Sequence, residues 1–246
     1  MIKKNKTIII LVLAAALSSI IFLNITVTSK YGKNYQGFKH QLPLYLKVLN
    51  FYNRHFNYMW LTEKITGHVK TKKEKVLRLF QWVYETMHRQ PKGLPVMDDH
   101  VWNIYVRGYG TSNQFADLFS TLCHYIGANS FFEYITINDH SIFFTFVEIA
   151  RGWVVFDPFN GVYFNNKNGN LATIKEIEDK NWNLINLEPS DIKKSAYEPF
   201  LEILPNIAEQ YFKRDISLHR GNIQSPINRL KFQLKNWLSG KTPLIQ

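Results

Sequence analysis

The stretch Gly108-Tyr-Gly-Thr-Ser-Asn-Gln-Phe-Ala-Asp-Leu-Phe-Ser-Thr-Leu-Cys-His-Tyr-Ile-Gly127 decides how the rest of this chain is interpreted. Its apolar residues recur at helical spacing, which predicts an amphipathic helix of roughly four turns. Gly127 favours a left-handed stop, and the two glycines upstream favour a sharp turn before the helix. Ser112 and Asn113 are therefore predicted to cap the helix N-terminus, at the positive end of its dipole.

Two roles are open for Ser112. It can be a simple N-cap, or it can be a nucleophile on a tight turn at the start of a buried helix, which requires a base. A base is available downstream, because His140 begins a strand-like run and Asp157 ends the next one. These runs predict strands joined by a hairpin.

The spacing of His140 and Asp157 leaves their geometry open. If Arg151 and Gly152 form a two-residue turn, Asp157 lies opposite Phe146, several residues from His140. A bulge or a wider loop would then be needed to bring the pair together. Otherwise His140 is a turn residue, and Asp157, before Pro158, caps a turn.

These motifs together resemble the transglutaminase-like superfamily, which has a papain-like fold. The resemblance runs from about residue 72, where 76–83 is similar to the helix before the core, through Gly161. It rests on a glycine-x-nucleophile opening a helix, a histidine at the head of a strand, and Gly152-Trp153 followed by Asp157-Pro158. It implies an α+β core in which the helix that carries the nucleophile position packs on an antiparallel sheet.

The resemblance also implies a catalytic set, with one departure. His140 matches the family's base, Asp157 the group that orients it, and Ser112 the position of the nucleophilic cysteine. A thiol can be stored as a thiolate beside a histidine and a helix N-terminus, whereas a serine must lose its proton during the attack. The substitution predicts a catalytically impaired or inactive domain that acts as a binding or scaffolding module. The alternative is an active serine amidase, esterase or acyltransferase.

The single cysteine does not replace the missing nucleophile. Cys123 follows Ser112 by eleven positions on the same predicted helix, about 16 Å along its axis. It is predicted to be a buried apolar residue.

Asp98, Asp99 and His100 resemble metal ligands, but no second cluster supports them, so the sequence indicates neither a metal site nor a cofactor.

The N-terminus predicts a membrane anchor. Lysines precede a run of about twenty uncharged residues from position 8, the length of one bilayer-spanning helix. A cleaved signal peptide is the alternative, although its apolar core would be unusually long. Lysines flank both ends of the run, and we expect the globular part outside the cytoplasm.

The chain is thus predicted to have one ordinary domain with attached helices. The predicted segments are a basic tail at 1–7, a transmembrane anchor at 8–28, a helical lead-in at 29–71, the transglutaminase-like core at 72–190, and a C-terminal helical extension at 191–246.

The remaining features concern partners. The formal net charge is +11 and the sequence pI is about 9.6, but the basic residues are scattered. This charge fits anionic lipid or an acidic envelope glycan as a partner, or it simply keeps the chain soluble. An envelope peptide or protein is a further candidate, and no nucleic-acid-binding motif is present. Residues 225–238 predict a basic amphipathic helix that either lies on a membrane or docks on the domain.

Overall fold

The computed structural model describes residues 2–188, 193–212 and 224–239, with the backbone alone described for 2–7 and 210–212. The predicted segments at 1–7 and 191–246 therefore lie partly outside the described residues. The helices are α1 Ile2–Leu23, α2 Leu44–Thr66, α3 Lys72–Thr86, α4 Val101–Arg107, α5 Ser112–Tyr125, α6 Ile174–Glu178, α7 Lys194–Phe212 and α8 Pro226–Leu238. The strands are β1 Thr26–Lys33, β2 Gln36–Pro43, β3 His88–Arg89, β4 Met97–Asp98, β5 Tyr109–Gly110, β6 Ser130–Ile137, β7 His140–Ile149, β8 Gly152–Asp157, β9 Val162–Asn165 and β10 Asn183–Asn186.

A five-stranded antiparallel sheet, in the order β10-β9-β8-β7-β6, forms the centre of the domain. The β6–β7 hairpin turns through Asn138 and Asp139, which have φ values of 46° and 65°. Two consecutive left-handed residues give the turn whose twist matches the flanking strands. The next hairpin turns through Ala150 and Arg151, since Ile149 pairs with Gly152.

The two faces of this sheet carry separate hydrophobic clusters. On one face Val147, Val154 and Phe156 pack with α5, α3 and α2. On the other, Phe144, Phe146 and Val155 pack with α7. The alternation follows from the two-residue side-chain period of a strand. The mixed helix and sheet architecture is that of an α+β domain, as predicted.

The helix starts follow their capping residues. Thr71 caps α3 in a capping box with Glu74. A threonine followed three residues later by a glutamate predicts a helix that starts after Thr173. The structure confirms it, since Thr173 and Glu176 form the capping box of α6. The helix α5 ends as predicted before Gly127, whose φ of 73° supplies the left-handed residue.

The segment before α2 differs from the predicted helical lead-in. Residues 26–43 form the hairpin β1–β2 with left-handed Asn34 and Tyr35 at its turn, and β1 also pairs with β4. The whole of β2 before its last two residues is exposed, so the strand lacks the alternation of apolar and polar residues that marks a half-buried strand. Helix starts only after Pro43, whose extended backbone caps α2.

The first helix ends before the predicted anchor does, because α1 stops at Leu23 and β1 begins at Thr26. Every large apolar side chain from Ile8 to Leu23 is exposed. Among the residues whose side chains are described, no helix combines the length and the apolar character needed to cross a membrane.

In the described part of the C-terminal region, the helices α7 and α8 follow the core. From the sequence, residues 197–212 predict a helix that is interrupted at Pro205, because an internal proline removes a backbone hydrogen bond. This interruption is wrong, since α7 is continuous through Pro199 and Pro205. In α8 no residue is buried, and its apolar residues, predicted to dock on the domain or to face a membrane, are exposed: Ile227, Leu230, Leu234, Trp237 and Leu238.

Candidate functional site

Ser112 is the first residue of α5, and its neighbour Thr111 is the N-cap. The backbone N–H of Thr111 donates to Gln114 Oε1 at 3.2 Å, and the Thr111 hydroxyl donates to the side chain of Asn113. The prediction that Ser112 is the cap is therefore off by one residue. The Ser112 hydroxyl is half-buried and makes no hydrogen bond within the described residues.

A short parallel pairing fixes the turn before Ser112. Arg89 of β3 pairs with Gly110 of β5, and the N–H of Gln90 donates to the Gly110 carbonyl at 2.8 Å. The guanidinium of Arg89 lies 4.5 Å from the centroid of the Phe159 ring and donates to Asn160 Oδ1 at 3.3 Å. The exposed guanidinium of Arg89 thus lies beside the β3–β5 pairing that precedes α5.

Asp157 is fully buried at the end of β8 and accepts four hydrogen bonds. Its Oδ2 accepts from Tyr197 Oη and Asn160 Nδ2, both at 2.7 Å. Its Oδ1 accepts from the backbone N–H groups of Phe159 and Asn160, both at 3.2 Å. The bonds from Phe159 and Asn160 are those of a carboxylate that caps a turn, which is one of the two roles considered for Asp157. Burial raises the pKa of the carboxyl, although all four hydrogen bonds act to lower it.

His140 lies at the tip of the β6–β7 hairpin, paired with Ile137, and is exposed. Thr145 pairs with Phe156, so the position opposite Asp157 is Phe144, which is fully buried. His140 is four residues further along β7, about 13 Å at roughly 3.3 Å per residue. The turn runs through Ala150 and Arg151, so the condition under which Asp157 would lie opposite Phe146 is not met.

The sheet also separates Asp157 from the helix of Ser112. By strand alternation Asp157 and Phe144 belong to the face covered by α7, which supplies Tyr197. The helix α5 covers the opposite face. Beyond the end of β8, Phe159 turns back to contact Phe115 of α5, with ring centroids 5.2 Å apart. The structure thus places Ser112, His140 and Asp157 at one end of the sheet without a hydrogen bond among them.

Three residues at this end were not identified from the sequence. Tyr197 lies forty positions after Asp157 on a separate helix, and no local pattern links the two. Phe144 sits inside an apolar strand and carries no distinctive signal. Arg89 follows α3 in a loop region, and its position beside Gly110 depends on the short β3–β5 pairing.

The other candidate ligands and nucleophiles have structural surroundings. Cys123 is fully buried, as predicted, and burial raises the pKa of its thiol well above the usual value. Asp99 forms an ion pair with Arg107 at 2.7 Å, and the His100 imidazole accepts from the Trp102 N–H at 3.3 Å. Within the described residues no group of three or more acidic, His or Cys side chains could hold a metal ion.

A groove of about 660 Å³ lies away from Ser112, between α2 and the C-terminal end of α5. Met59, Trp60, Lys64, Lys75 and Tyr125 are among its lining residues. None of the three predicted catalytic residues lines it, so its volume gives no support to a reaction at Ser112.

Comparison with known proteins agrees with the fold. Residues 60–158 match the family model described as the transglutaminase-like superfamily. No curated protein and no solved structure matches the chain. The matched segment begins within α2 and ends just after Asp157, so it includes α5 and most of the sheet. Residues 60–158 are therefore a transglutaminase-like domain.

Proposed function

We propose that this chain is a membrane-attached member of the transglutaminase-like superfamily that binds a ligand in the cell envelope without catalysing acyl transfer. The observation that carries the proposal is the placement of Asp157. Its carboxylate is buried against Tyr197 on the face away from α5, opposite Phe144. An orienting carboxylate needs a histidine within hydrogen-bond reach, and here that position holds an apolar ring.

The surroundings of Ser112 support the same proposal. A serine hydroxyl becomes a nucleophile only when a base within about 3 Å accepts its proton during attack. Within the described residues the Ser112 hydroxyl has no such partner, and the imidazole of His140 is exposed at a hairpin tip. A water-exposed histidine with no orienting carboxylate lacks the support that a catalytic base receives.

The same end of the sheet has groups suited to binding. The first turn of a helix presents unpaired N–H groups and a positive dipole end, which favour a carbonyl or carboxylate oxygen. Arg89 adds a fixed positive charge, held over Phe159 and bonded to Asn160. We therefore favour a peptide or glycan that carries a carboxylate as the ligand class.

Membrane attachment is assigned to α1. Its large apolar side chains from Ile8 to Leu23 are exposed to the surroundings, and a lipid environment would remove them from water. We place the globular part outside the cytoplasm. The chain should remain in the membrane pellet after carbonate extraction. A membrane-impermeant maleimide should label Ser112→Cys in intact cells, whereas recovery in the soluble fraction would overturn the attachment.

A fluorophosphonate tests whether Ser112 acts as a nucleophile. The full chain in native membranes is exposed to the reagent, and adducts are located by peptide mapping. We expect no adduct at Ser112. In parallel, Ser112→Cys should react with iodoacetamide, which shows that position 112 is accessible to reagents, while buried Cys123 should stay unmodified. An adduct at Ser112 that disappears in His140→Ala would establish the serine hydrolase or acyltransferase instead.

A further inference from the structure

Acidic and basic residues are distributed unevenly along this chain. All 19 acidic residues lie between Glu63 and Asp215. Residues 1–62 contain 8 Lys or Arg, and residues 216–246 contain 5, with no Asp or Glu in either segment. The terminal segments are therefore purely cationic, while the core between them has a small acidic excess.

The described parts of these two segments meet in the fold. Lys47, Phe51 and Arg54 lie on one face of α2, at spacings of four and three residues. Arg229 of α8 places its guanidinium 5.2 Å from the centroid of the Phe51 ring. Lys47 Nζ donates to the Thr28 carbonyl at 3.0 Å, which fixes the ammonium near β1. Arg229 thus lies over a ring that has Lys47 and Arg54 about one helical turn to either side of it on the same face of α2.

No carboxylate among the residues that the structure describes neutralises these three cations, which we call the Lys47–Arg54–Arg229 cluster. Within the described residues none of the three cations forms an ion pair, and the buried Nε of Arg54 has no hydrogen-bond partner. Burial and the charge of Arg229 lower the pKa of both Lys47 and Arg54, while nearby Tyr58 and Tyr125 partly oppose the effect on Arg54. Like charges held together and partly out of water favour an anion between them.

Exposed apolar side chains adjoin the cluster. The helices α1 and α8 both contact α2. On α2 the exposed side chains include Tyr45, Leu49 and Tyr52, and on α8 they include Leu230 and Trp237. Cations beside exposed aromatic and aliphatic side chains are typical of a protein surface that lies at the boundary between lipid headgroups and acyl chains.

We infer that the Lys47–Arg54–Arg229 cluster binds the phosphate of an anionic phospholipid at the surface of a bilayer. The guanidinium groups of Arg54 and Arg229 match a phosphate better than lysine does, because each offers two parallel N–H donors. The adjoining apolar side chains then contact the acyl region. This inference extends the membrane attachment proposed for α1 from a hydrophobic anchor to recognition of a lipid class.

Native mass spectrometry of the full chain in detergent provides the test. The purified chain is titrated with phosphatidylglycerol or phosphatidylcholine, and the bound lipid is counted. We expect phosphatidylglycerol to bind on the order of 10-fold more tightly than phosphatidylcholine. The double variant Arg54→Gln/Arg229→Gln should lose that preference, whereas Arg54→Lys should retain part of it.

Lys92→Gln/Lys180→Gln is the matched control, because it removes two exposed positive charges elsewhere on the domain. It should keep the lipid preference. Melting temperatures of the lipid-free proteins form a second readout. Removal of mutually repelling cations should leave the melting temperature of Arg54→Gln/Arg229→Gln unchanged or higher. A large decrease would indicate a purely structural role and overturn the inference.

Further results distinguish a lipid phosphate from free phosphate. They also distinguish failure of this inference from failure of the proposed membrane attachment. If millimolar inorganic phosphate raises the melting temperature as much as phosphatidylglycerol does, the site takes free phosphate and the lipid assignment is wrong. Equal binding of both lipids by a chain that stays in the membrane pellet overturns this inference alone. Recovery of the chain in the soluble fraction overturns the attachment itself.

Discussion

Tyr197 Oη donates a 2.7 Å hydrogen bond to Asp157 Oδ2, joining α7 to the end of β8 on the face of the sheet away from α5. Asp157 also organises the turn that follows it, through the N–H groups of Phe159 and Asn160. The Asp157 carboxylate therefore connects β8, α7 and the turn that follows β8. This bonding explains why a fully buried acid is tolerated in an otherwise apolar cluster.

Removal of the tyrosine hydroxyl should destabilise the domain. In Tyr197→Phe the buried carboxylate loses one of its two side-chain donors, and we expect a loss of about 1.5–3 kcal/mol in the free energy of unfolding at pH 7. Urea unfolding followed by circular dichroism measures it. Tyr163→Phe is the control, because the Tyr163 hydroxyl makes no hydrogen bond within the described residues. Equal losses in both variants would mean that the Tyr197 bond contributes nothing specific.

Part of this arrangement was predictable and part was not. The periodicity before Gly127 predicted α5, and the spacing of Thr173 and Glu176 predicted the start of α6, because both signals are local. The register of β8 on β7 was missed because it depends on which two residues form the turn. A one-residue slip in that turn moves the residue opposite Asp157 by two positions, from Phe146 to Phe144.

Long-range contacts account for the other differences. The bond between Tyr197 and Asp157 joins residues forty positions apart, and only tertiary packing of α7 creates it. The hairpin of residues 26–43 was missed because an exposed ribbon needs no apolar face, so its sequence lacks the period-two pattern. Its turn at Asn34 and Tyr35 has only asparagine as a signal for a left-handed conformation.

Loss of the His140 imidazole should leave the reactivity of a thiol introduced at position 112 unchanged. In Ser112→Cys the helix N-terminus lowers the thiol pKa below its free value of about 8.5. His140, at the hairpin tip, contributes nothing to that shift. We expect the pH profile of iodoacetamide alkylation to be the same after adding His140→Ala, while adding Arg89→Gln raises the apparent pKa. A rise caused by His140→Ala would contradict the separation described above.

Glu176 should make stability depend on pH in the acid range. Burial opposes its ionisation, but hydrogen bonds from Thr173, Asn166 and Arg151 prevail and lower its pKa from 4.5 to about 2. A carboxyl with a depressed folded-state pKa stabilises the fold above its unfolded pKa, and this contribution is lost as pH falls. Glu176→Gln should lose about 1–2 kcal/mol at pH 7.

The difference between wild type and Glu176→Gln should narrow between pH 4.5 and about 2. Urea unfolding at pH 7, 4 and 3 tests this trend, with the exposed Glu178→Gln as control, which should change stability by less than about 0.5 kcal/mol at pH 7. A difference between wild type and Glu176→Gln that stays constant with pH would show that the capping geometry, and not the charge, is responsible.

The turn after Asp157 should not tolerate a side chain at Gly161. Gly161 has φ 67°, and an added Cβ would lie 2.7 Å from Tyr84 Cε2 on α3. Gly169 has φ 74° with nothing within 4 Å of an added Cβ. Gly169→Ala should therefore lose only about 1 kcal/mol from backbone strain, and Gly161→Ala about 2–4 kcal/mol from strain and the clash.

A double-mutant cycle separates the two contributions at Gly161. Tyr84→Ala removes the ring that the new methyl group would meet, so Gly161→Ala made in that background should lose only the strain component, close to the value for Gly169→Ala. Urea unfolding of the four proteins measures the coupling. Equal effects of Gly161→Ala with and without the Tyr84 ring would mean that α3 does not pack against this turn as tightly as the structure has it. The close approach of α3 would then not help to hold the turn formed by the Asp157 carboxylate.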